Sequence, residues 1–221
     1  MRLTLFDLDH TLLDGDSDQL WCEFLMDRGE LPREPFETLN RDMARDYAAG
    51  HVSAQAFCDF YIGTLAGRSA AEWRSLRRDY IDSRIVPRIP AAAMDLVARH
   101  RDAGDLVLLT TATCRFLSEL SAVHLGISQL IATECETGAD GRFTGRSLGV
   151  LNMREGKLQR LHDWLARQPL DLRDCESTLY SDSINDLPLL SVVRWPVVVD
   201  PDPRLESAAL RKGWKVLRFK R

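Results

Sequence analysis

The run Leu3-Thr4-Leu5-Phe6 leads directly into Asp7-Leu8-Asp9-His10-Thr11-Leu12, and no other stretch restricts the fold of this chain as tightly. An apolar run this short, before polar residues, reads as a buried strand, placed here over 2–9. Residues two apart in an extended chain share a face. Asp7 and Asp9 are therefore expected to meet at the carboxyl end of the strand, where open α/β sheets carry their sites. Taken alone, the pattern is equally a strand-end turn, since Asp and Thr are common there. His10 lies between the two carboxylates and is expected to face away and pack.

Two close carboxylates repel unless a cation neutralises them, and an all-oxygen ligand set suits Mg²⁺. The chemistry such a pair offers is attack by one carboxylate on a phosphorus centre held by the metal.

Further along, the pattern changes twice. From about 18 to 85 the apolar residues fall at helical spacing. Leu20, Trp21, Phe24 and Leu25 come first, then Phe36, Leu39, Met43 and Tyr47, then Phe57, Phe60, Tyr61 and Leu65. Ser69-Ala70-Ala71-Glu72 has the capping-box pattern ahead of Trp73, Leu76 and Tyr80. These aromatics are expected to form the core of a small helical bundle. From Pro90 onward, helical segments (to 104, 115–125, 155–167, 186–192, 203–211) alternate with strands (105–111, 130–133, 178–182, 196–200, 214–219). Asp140-Gly141 marks a hairpin turn. Such alternation implies a parallel sheet covered on both faces. The expected organisation is a core of residues 1–17 and 86–221, with 18–85 inserted as a helical cap over the strand ends.

Composition narrows the partners. A chain of 221 residues with net charge −4 has no nucleic-acid or membrane electrostatic footprint. The basic Arg218-Phe219-Lys220-Arg221 reads as a solvated end. Five widely spaced cysteines, without a C-x-x-C, argue against a zinc site or disulfide framework and favour a reducing, cytoplasmic compartment. No apolar run is long enough to span a bilayer, and the first strand begins too early to leave room for a signal peptide.

Three more constellations sit at expected strand ends or helix starts. Thr110-Thr111-Ala112-Thr113 combines hydroxyls with backbone N–H groups ahead of a helix, a setting for a phosphate or simply a helix cap. Lys157 stands at a helix start, where a cation opposes the helix dipole. It is either a surface lysine or a charge placed to neutralise a carboxylate and a phosphate. Ser181-Asp182-Ser183-Ile184-Asn185-Asp186 sets acids and an amide at a third strand end, as an N-cap cluster or an oxygen cage for Mg²⁺.

In this order, Asp7-x-Asp9-x-Thr11, Thr111, Lys157 and Asp182-x-x-Asn185-Asp186 resemble the four motifs of the haloacid dehalogenase-like hydrolase superfamily, over almost the whole chain. The helical insertion corresponds to a type 1 cap. Thr111-Ala112-Thr113-Cys114-Arg115-Phe116 and Asp140-Gly141-Arg142-Phe143-Thr144-Gly145 are similar to the phosphoserine phosphatase-like branch. The resemblance implies a Rossmann-like three-layer α/β core with a mainly parallel sheet. It implies a nucleophilic Asp7 that forms an aspartyl-phosphate, and an Asp9 that acts as general acid and then as general base. Thr111 would bind the phosphoryl group and Lys157 would steady it. Mg²⁺ would be held by Asp7, the backbone carbonyl of Asp9, and Asp182, with Asn185 and Asp186 behind them. Thr11, Asp16, Ala112, Thr113 and Arg115 would contact substrate.

The sequence departs from the branch in two motifs. Ser181-Asp182-Ser183 stands where Gly-Asp-Gly is usual, and Thr111-Ala112-Thr113 where Ser-Gly-Gly is usual. Asp16 matches a glutamate that reads the substrate amine in phosphoserine phosphatases and is one methylene shorter. The implied partner is a small phosphorylated metabolite: phosphoserine, histidinol phosphate or another small phosphomonoester, processed by a monomer or homodimer. A phosphotransferase using the same intermediate and a non-catalytic phosphate-binding module are the alternatives.

Overall fold

The computed structural model describes residues 1–168 and 170–219, with only the backbone considered at Ala48. Lys220 and Arg221, part of the expected basic end, lie outside the described residues. Seven strands form one sheet: β1 (Arg2–Phe6), β2 (Leu106–Cys114), β3 (Gln129–Thr137), β4 (Phe143–Leu148), β5 (Glu176–Ser181), β6 (Trp195–Val199) and β7 (Lys215–Leu217). Their order is β4-β3-β2-β1-β5-β6-β7, and every pairing is parallel except β3 with β4. The helices are α1 (Ser17–Asp27), α2 (Arg33–Ala48), α3 (Ala54–Gly63), α4 (Ala70–Tyr80), α5 (Ala91–Asp102), α6 (Arg115–His124), α7 (Glu155–Arg167), α8 (Leu187–Leu190) and α9 (Pro203–Lys212). This is the expected Rossmann-like α/β architecture.

The central strand explains the unbroken apolar run at the start of the chain. Leu3, Leu5 and Phe6 are inaccessible to solvent, although alternate residues face opposite sides of the sheet. Leu3 and Leu5 belong to the cluster that includes Leu161, Leu165 and Leu205, whereas Phe6 belongs to the one that includes Leu96, Val97 and Leu109. From β1 the chain builds outward through β2 and β3 on one side and later through β5, β6 and β7 on the other. The order therefore reverses between β1 and β5, and the crevice at such a switch point, beyond the strands' carboxyl ends, is where ligands bind in this architecture.

Several boundaries differ from the sequence reading. β1 stops at Phe6, not at residue 9, because the chain turns on the Leu8 carbonyl, which accepts the N–H groups of Thr11, Leu12 and Leu13 at 2.9–3.2 Å. β2 continues to Cys114, and its register with β3 shifts between Thr111 and Cys114. β3 is twice as long as expected and returns through Asp140-Gly141 into β4 as an antiparallel hairpin.

Residues 17–88 run as helices between β1 and β2. The starts of α1, α3 and α4 are capped by side chains: Asp16 accepts the Gln19 N–H, Ser53 that of Ala56, and Ser69 with Glu72 completes the expected capping box. Trp21 packs on Phe24, Trp73 and Tyr80 with ring centroids 5.8, 5.5 and 5.0 Å apart. Such aromatic pairs add about 0.5–1.5 kcal/mol each beyond their buried area. The rings' polar atoms are also used, with Trp21 Nε1 donating to Thr64 Oγ1 and Tyr80 OH to the Ser17 carbonyl.

The insert is tied to the hairpin. Asp59 on α3 accepts both the N–H and hydroxyl of Ser147 on β4, at 2.9 and 3.0 Å. A Cβ at Gly145 would lie 3.1 Å from the Ala66 Cβ and 3.3 Å from the Gly63 Cα, so the close helix–strand approach requires glycine there.

Candidate active site

Asp7 and Asp182 stand just beyond the ends of β1 and β5, and Thr111 lies within the carboxyl-terminal part of β2, the three strands around the switch point. The Asp7 N–H still donates to the Tyr180 carbonyl at 3.0 Å, which fixes its backbone to β5. Lys157, on the first turn of α7, is 2 % exposed. Its Nζ lies 2.8 Å from Asp7 Oδ1 and 2.7 Å from Asp186 Oδ2. The surface-lysine reading therefore fails: an ammonium this deep is retained only where carboxylates meet it. Burial alone would lower its pKa, but Asp186 and Asp7 outweigh that and hold it above the usual lysine value.

The opposite side of the carboxylate pair is organised by hydroxyls. Thr11 Oγ1 lies 3.2 Å from Asp7 Oδ2 and 3.0 Å from Asp182 Oδ1, and it accepts the Asp182 N–H. Ser181 donates to Asp186 Oδ2 at 2.7 Å, so the serine that replaces the usual glycine braces an acid of the site. Asp9 accepts the Ser17 N–H on Oδ1 and the Thr113 hydroxyl on Oδ2, each at 2.7 Å.

These groups perturb one another in one direction. Burial, opposed by Lys157 and reinforced by Asp186 and Asp9, pushes the Asp7 carboxyl from its ordinary 3.8 up to about 6. Burial and the neighbouring Asp16 raise Asp9. Burial, Asp7 and Asp186 raise Asp182 well above the usual range.

Asp7, Asp9, Asp16, Ala112, Thr113, Lys157, Asp182, Asn185 and Asp186 all line one cavity of about 580 Å³. Three expected residues do not. Thr11 is wholly buried and braces the carboxylates from behind. Thr111 is also wholly buried, and its hydroxyl accepts the Thr113 N–H at 3.2 Å, so Ala112 and Thr113 present the strand end to the cavity. Arg115 points elsewhere: its guanidinium forks onto Glu134 at 2.9–3.0 Å and reaches the Leu130 carbonyl, beside Arg160. Asp16 serves as the α1 N-cap while lining the cavity.

The cavity also recruits residues that the sequence reading assigned to packing or left out. His10 is exposed and lines it, at φ 55, because the chain leaves the extended conformation before residue 10. Histidine is among the residue types enriched in that left-handed region. Tyr47 on α2 and Phe57 on α3, expected as bundle core, stack with centroids 4.2 Å apart and form an aromatic wall. Arg154 lies over Tyr47 at 5.5 Å, and Asp18 lies beside Thr113 Oγ1 at 3.3 Å. Asp18 belongs to the acidic run Asp14, Asp16, Asp18, a pattern that by itself reads equally as a solvated hinge; the fold places Asp18 in the cavity.

The haloacid dehalogenase-like hydrolase family model matches residues 4–191. The chain belongs to that family. It is 40 % identical over 220 residues to a histidinol-phosphatase of Neisseria meningitidis, covering 99 % of each chain. A phosphoserine phosphatase of Mycobacterium tuberculosis is 34 % identical over 225 residues, covering 97 % of this chain and 70 % of the relative. The structure of a protein of unknown function from Bordetella pertussis aligns with a TM-score of 0.92 at 41 % identity, over 98 % of this chain and 97 % of that one. This haloacid dehalogenase-like hydrolase is a phosphatase of the phosphoserine phosphatase-like branch. None of its described helices is long and apolar enough to cross a membrane.

Proposed function

We propose that the protein hydrolyses a small, amine-bearing phosphomonoester in a reducing cytoplasm, through an aspartyl-phosphate on Asp7 and with Mg²⁺ bound. The observation that carries this reading is the buried Lys157 ammonium, shared between Asp7 and Asp186 in a cavity that also holds Asp9 and Asp182. Among the described residues no three His, Cys, Asp or Glu side chains form a ready metal cluster. Two carboxylates and a backbone carbonyl are nevertheless a suitable hard-oxygen set. Asp182 is paired with no cation among the described residues, while Asp7 and Asp186 both disfavour its charge. That uncompensated charge fits a divalent cation held by Asp7, Asp182 and the Asp9 carbonyl. When bound, Mg²⁺ supplies charge neutralisation at the phosphoryl oxygens.

The residues divide the remaining work. The Asp7 carboxylate attacks phosphorus, forming an O–P bond as the ester P–O bond breaks. Asp9, whose raised pKa favours the protonated form, delivers its proton to the departing alkoxide. In the second step Asp9 takes a proton from water, the water oxygen bonds to phosphorus, and the Asp7 carboxylate leaves with the electron pair of the acyl-phosphate bond. Lys157 keeps Asp7 ionised for attack and offsets charge on the phosphoryl group. The β2 strand end at Ala112 and Thr113 lines the cavity beside these residues. Residues 18–85 act as a cap whose α2 reaches the core through Tyr47, near Arg154, Met153 and Asn185, and its closure excludes water.

Asp16 and Asp18 line the same cavity as Tyr47 and Phe57; burial and the neighbouring Asp16 hold the Asp18 carboxyl well above the usual range, so an amine or a cationic ring bound there would offset the cost of ionising it. A histidinol-phosphate-like substrate fits this cavity better than phosphoserine, whose carboxylate would meet the acids. Phosphate release from a panel of small phosphomonoesters, with Mg²⁺ and with chelator, tests the reading. Metal-dependent release that is highest for amino-alcohol phosphates is expected. Phosphoryl transfer to added alcohols without net release would favour a phosphotransferase, and no turnover of any ester by folded, metal-loaded protein would refute hydrolysis.

A further inference from the structure

One side chain connects the second and third groups of site residues, and it is not itself in the cavity. Asn152 is inaccessible to solvent and lies in the segment between β4 and α7, five residues before Lys157. Its Nδ2 lies 2.9 Å from the Thr111 carbonyl, 3.0 Å from the Ile131 carbonyl and 3.0 Å from Thr110 Oγ1. Its backbone N–H donates to Thr133 Oγ1 at 3.1 Å. Two of the side-chain partners are backbone carbonyls, which cannot donate, so the amide must present its nitrogen to them. Its Oδ1 is buried with no hydrogen-bond partner, so the contacts on the nitrogen side define what this residue holds.

The partners lie where β2 departs from regular pairing with β3, between Thr111 and Cys114. Beyond that point the β2 backbone carries Ala112 and Thr113 into the cavity. On its other side, Asn152 anchors a tightly wound segment. Arg154 adopts φ 51, and a Cβ at Gly156 would lie 2.2 Å from the Leu151 carbonyl oxygen. A chain wound this closely has little freedom to correct a displaced anchor before Lys157.

We propose that Asn152 is a positioning residue for phosphoryl transfer, locking the β2 strand end and the Lys157 ammonium into one geometry around Asp7. This rests on the reading of Lys157 given above. Outer-shell groups of this kind typically change activity by about 10- to 100-fold when removed, and displacement of reacting groups by about 1 Å has effects of that size.

The test compares steady-state kinetics on p-nitrophenyl phosphate with thermal melting for Asn152→Ala, Asn152→Ser and Lys157→Met. Asn152→Ala is expected to lower kcat by about 10- to 100-fold with little change in KM, while remaining folded at the assay temperature. Asn152→Ser, which keeps one short donor, is expected to recover part of the loss. Unchanged kcat in folded Asn152→Ala would overturn the proposal. Equal kcat per folded molecule with only a lower Tm would also overturn it, as would failure of both Asn152 variants to fold; either result would make the residue purely structural. Lys157→Met separates the two ideas: full activity there refutes the role given to Lys157, whereas loss there with active Asn152 variants refutes only the positioning role.

Discussion

Removing the divalent cation perturbs the site in a way whose pH dependence follows from the Asp7 environment. Burial raises that carboxyl from 3.8 to about 6 even with Lys157 beside it. The folded protein therefore keeps a proton that the unfolded chain releases near 3.8. The Asp7 contribution to the stability of the metal-free protein is fully present below that value and is lost as pH rises from about 4 to about 6, after which the full cost remains. At about 1.4 kcal/mol for each pKa unit, the cost on Asp7 is about 3 kcal/mol, and Asp182 is displaced in the same direction. A cation held by these carboxylates relieves the cost, but at low pH it must first displace protons. Mg²⁺ is thus expected to stabilise more at pH 8 than at pH 5. Between pH 5 and pH 8 only about one pKa unit of the Asp7 cost is still to be incurred, about 1.4 kcal/mol, so with about 2–4 °C per kcal/mol for a chain of this size the extra gain in Tm from Asp7 is about 3–6 °C. Melting curves with Mg²⁺ and with chelator at each pH measure it, since effects of pH on the rest of the molecule cancel in the difference. An Mg²⁺-induced shift that is equal at the two pH values, or absent at both, would refute the reasoning.

Other expectations concern individual residues. Lys157→Met should lower kcat by about 100- to 1000-fold, the scale of losing one preorganised charge on the transition state, as read from initial rates. Asp18→Asn and Asp16→Asn should raise KM for an amine-bearing ester by roughly 10- to 100-fold, the scale of a hydrogen bond to a charged group, and leave an amine-free ester nearly unaffected. Equal effects on both esters would remove these acids from amine recognition. Gly156→Ala should cost about 1–3 kcal/mol of stability through steric conflict with Leu151, measured by denaturant unfolding. A neutral result there would mean that the turn before Lys157 is looser than its geometry implies.

Much of the fold was legible because its signals are local. The apolar run at β1, the helical spacing of the insert's aromatics and the Ser69–Glu72 capping box each follow from neighbouring residues, and each appears as expected. Asp7, Asp9, Lys157 and Asp182 converge because strand ends around a switch point converge. The misplaced details depend on distant partners. His10 was assigned by strand alternation, but β1 ends at Phe6, where the turn on Leu8 takes over. Tyr47 and Phe57 pack with the core as their periodicity implies, and only the docking of α2 and α3 beside the cavity gives them a second role as its wall. Arg115 follows a site motif directly, yet Glu134, nineteen residues on, holds it elsewhere. Asn152 carried no signal, since its four partners come from two other strands.

The central claim is that Asp7 becomes phosphorylated. Rapid acid quench during turnover, followed by peptide mass mapping, tests it most directly. A phosphoryl mass gain on Asp7 in the wild type is expected. In Asp7→Asn both that gain and turnover should vanish, with activity below about one thousandth of wild type. A phosphoryl group on another residue, or wild-type turnover by folded Asp7→Asn, would contradict the account.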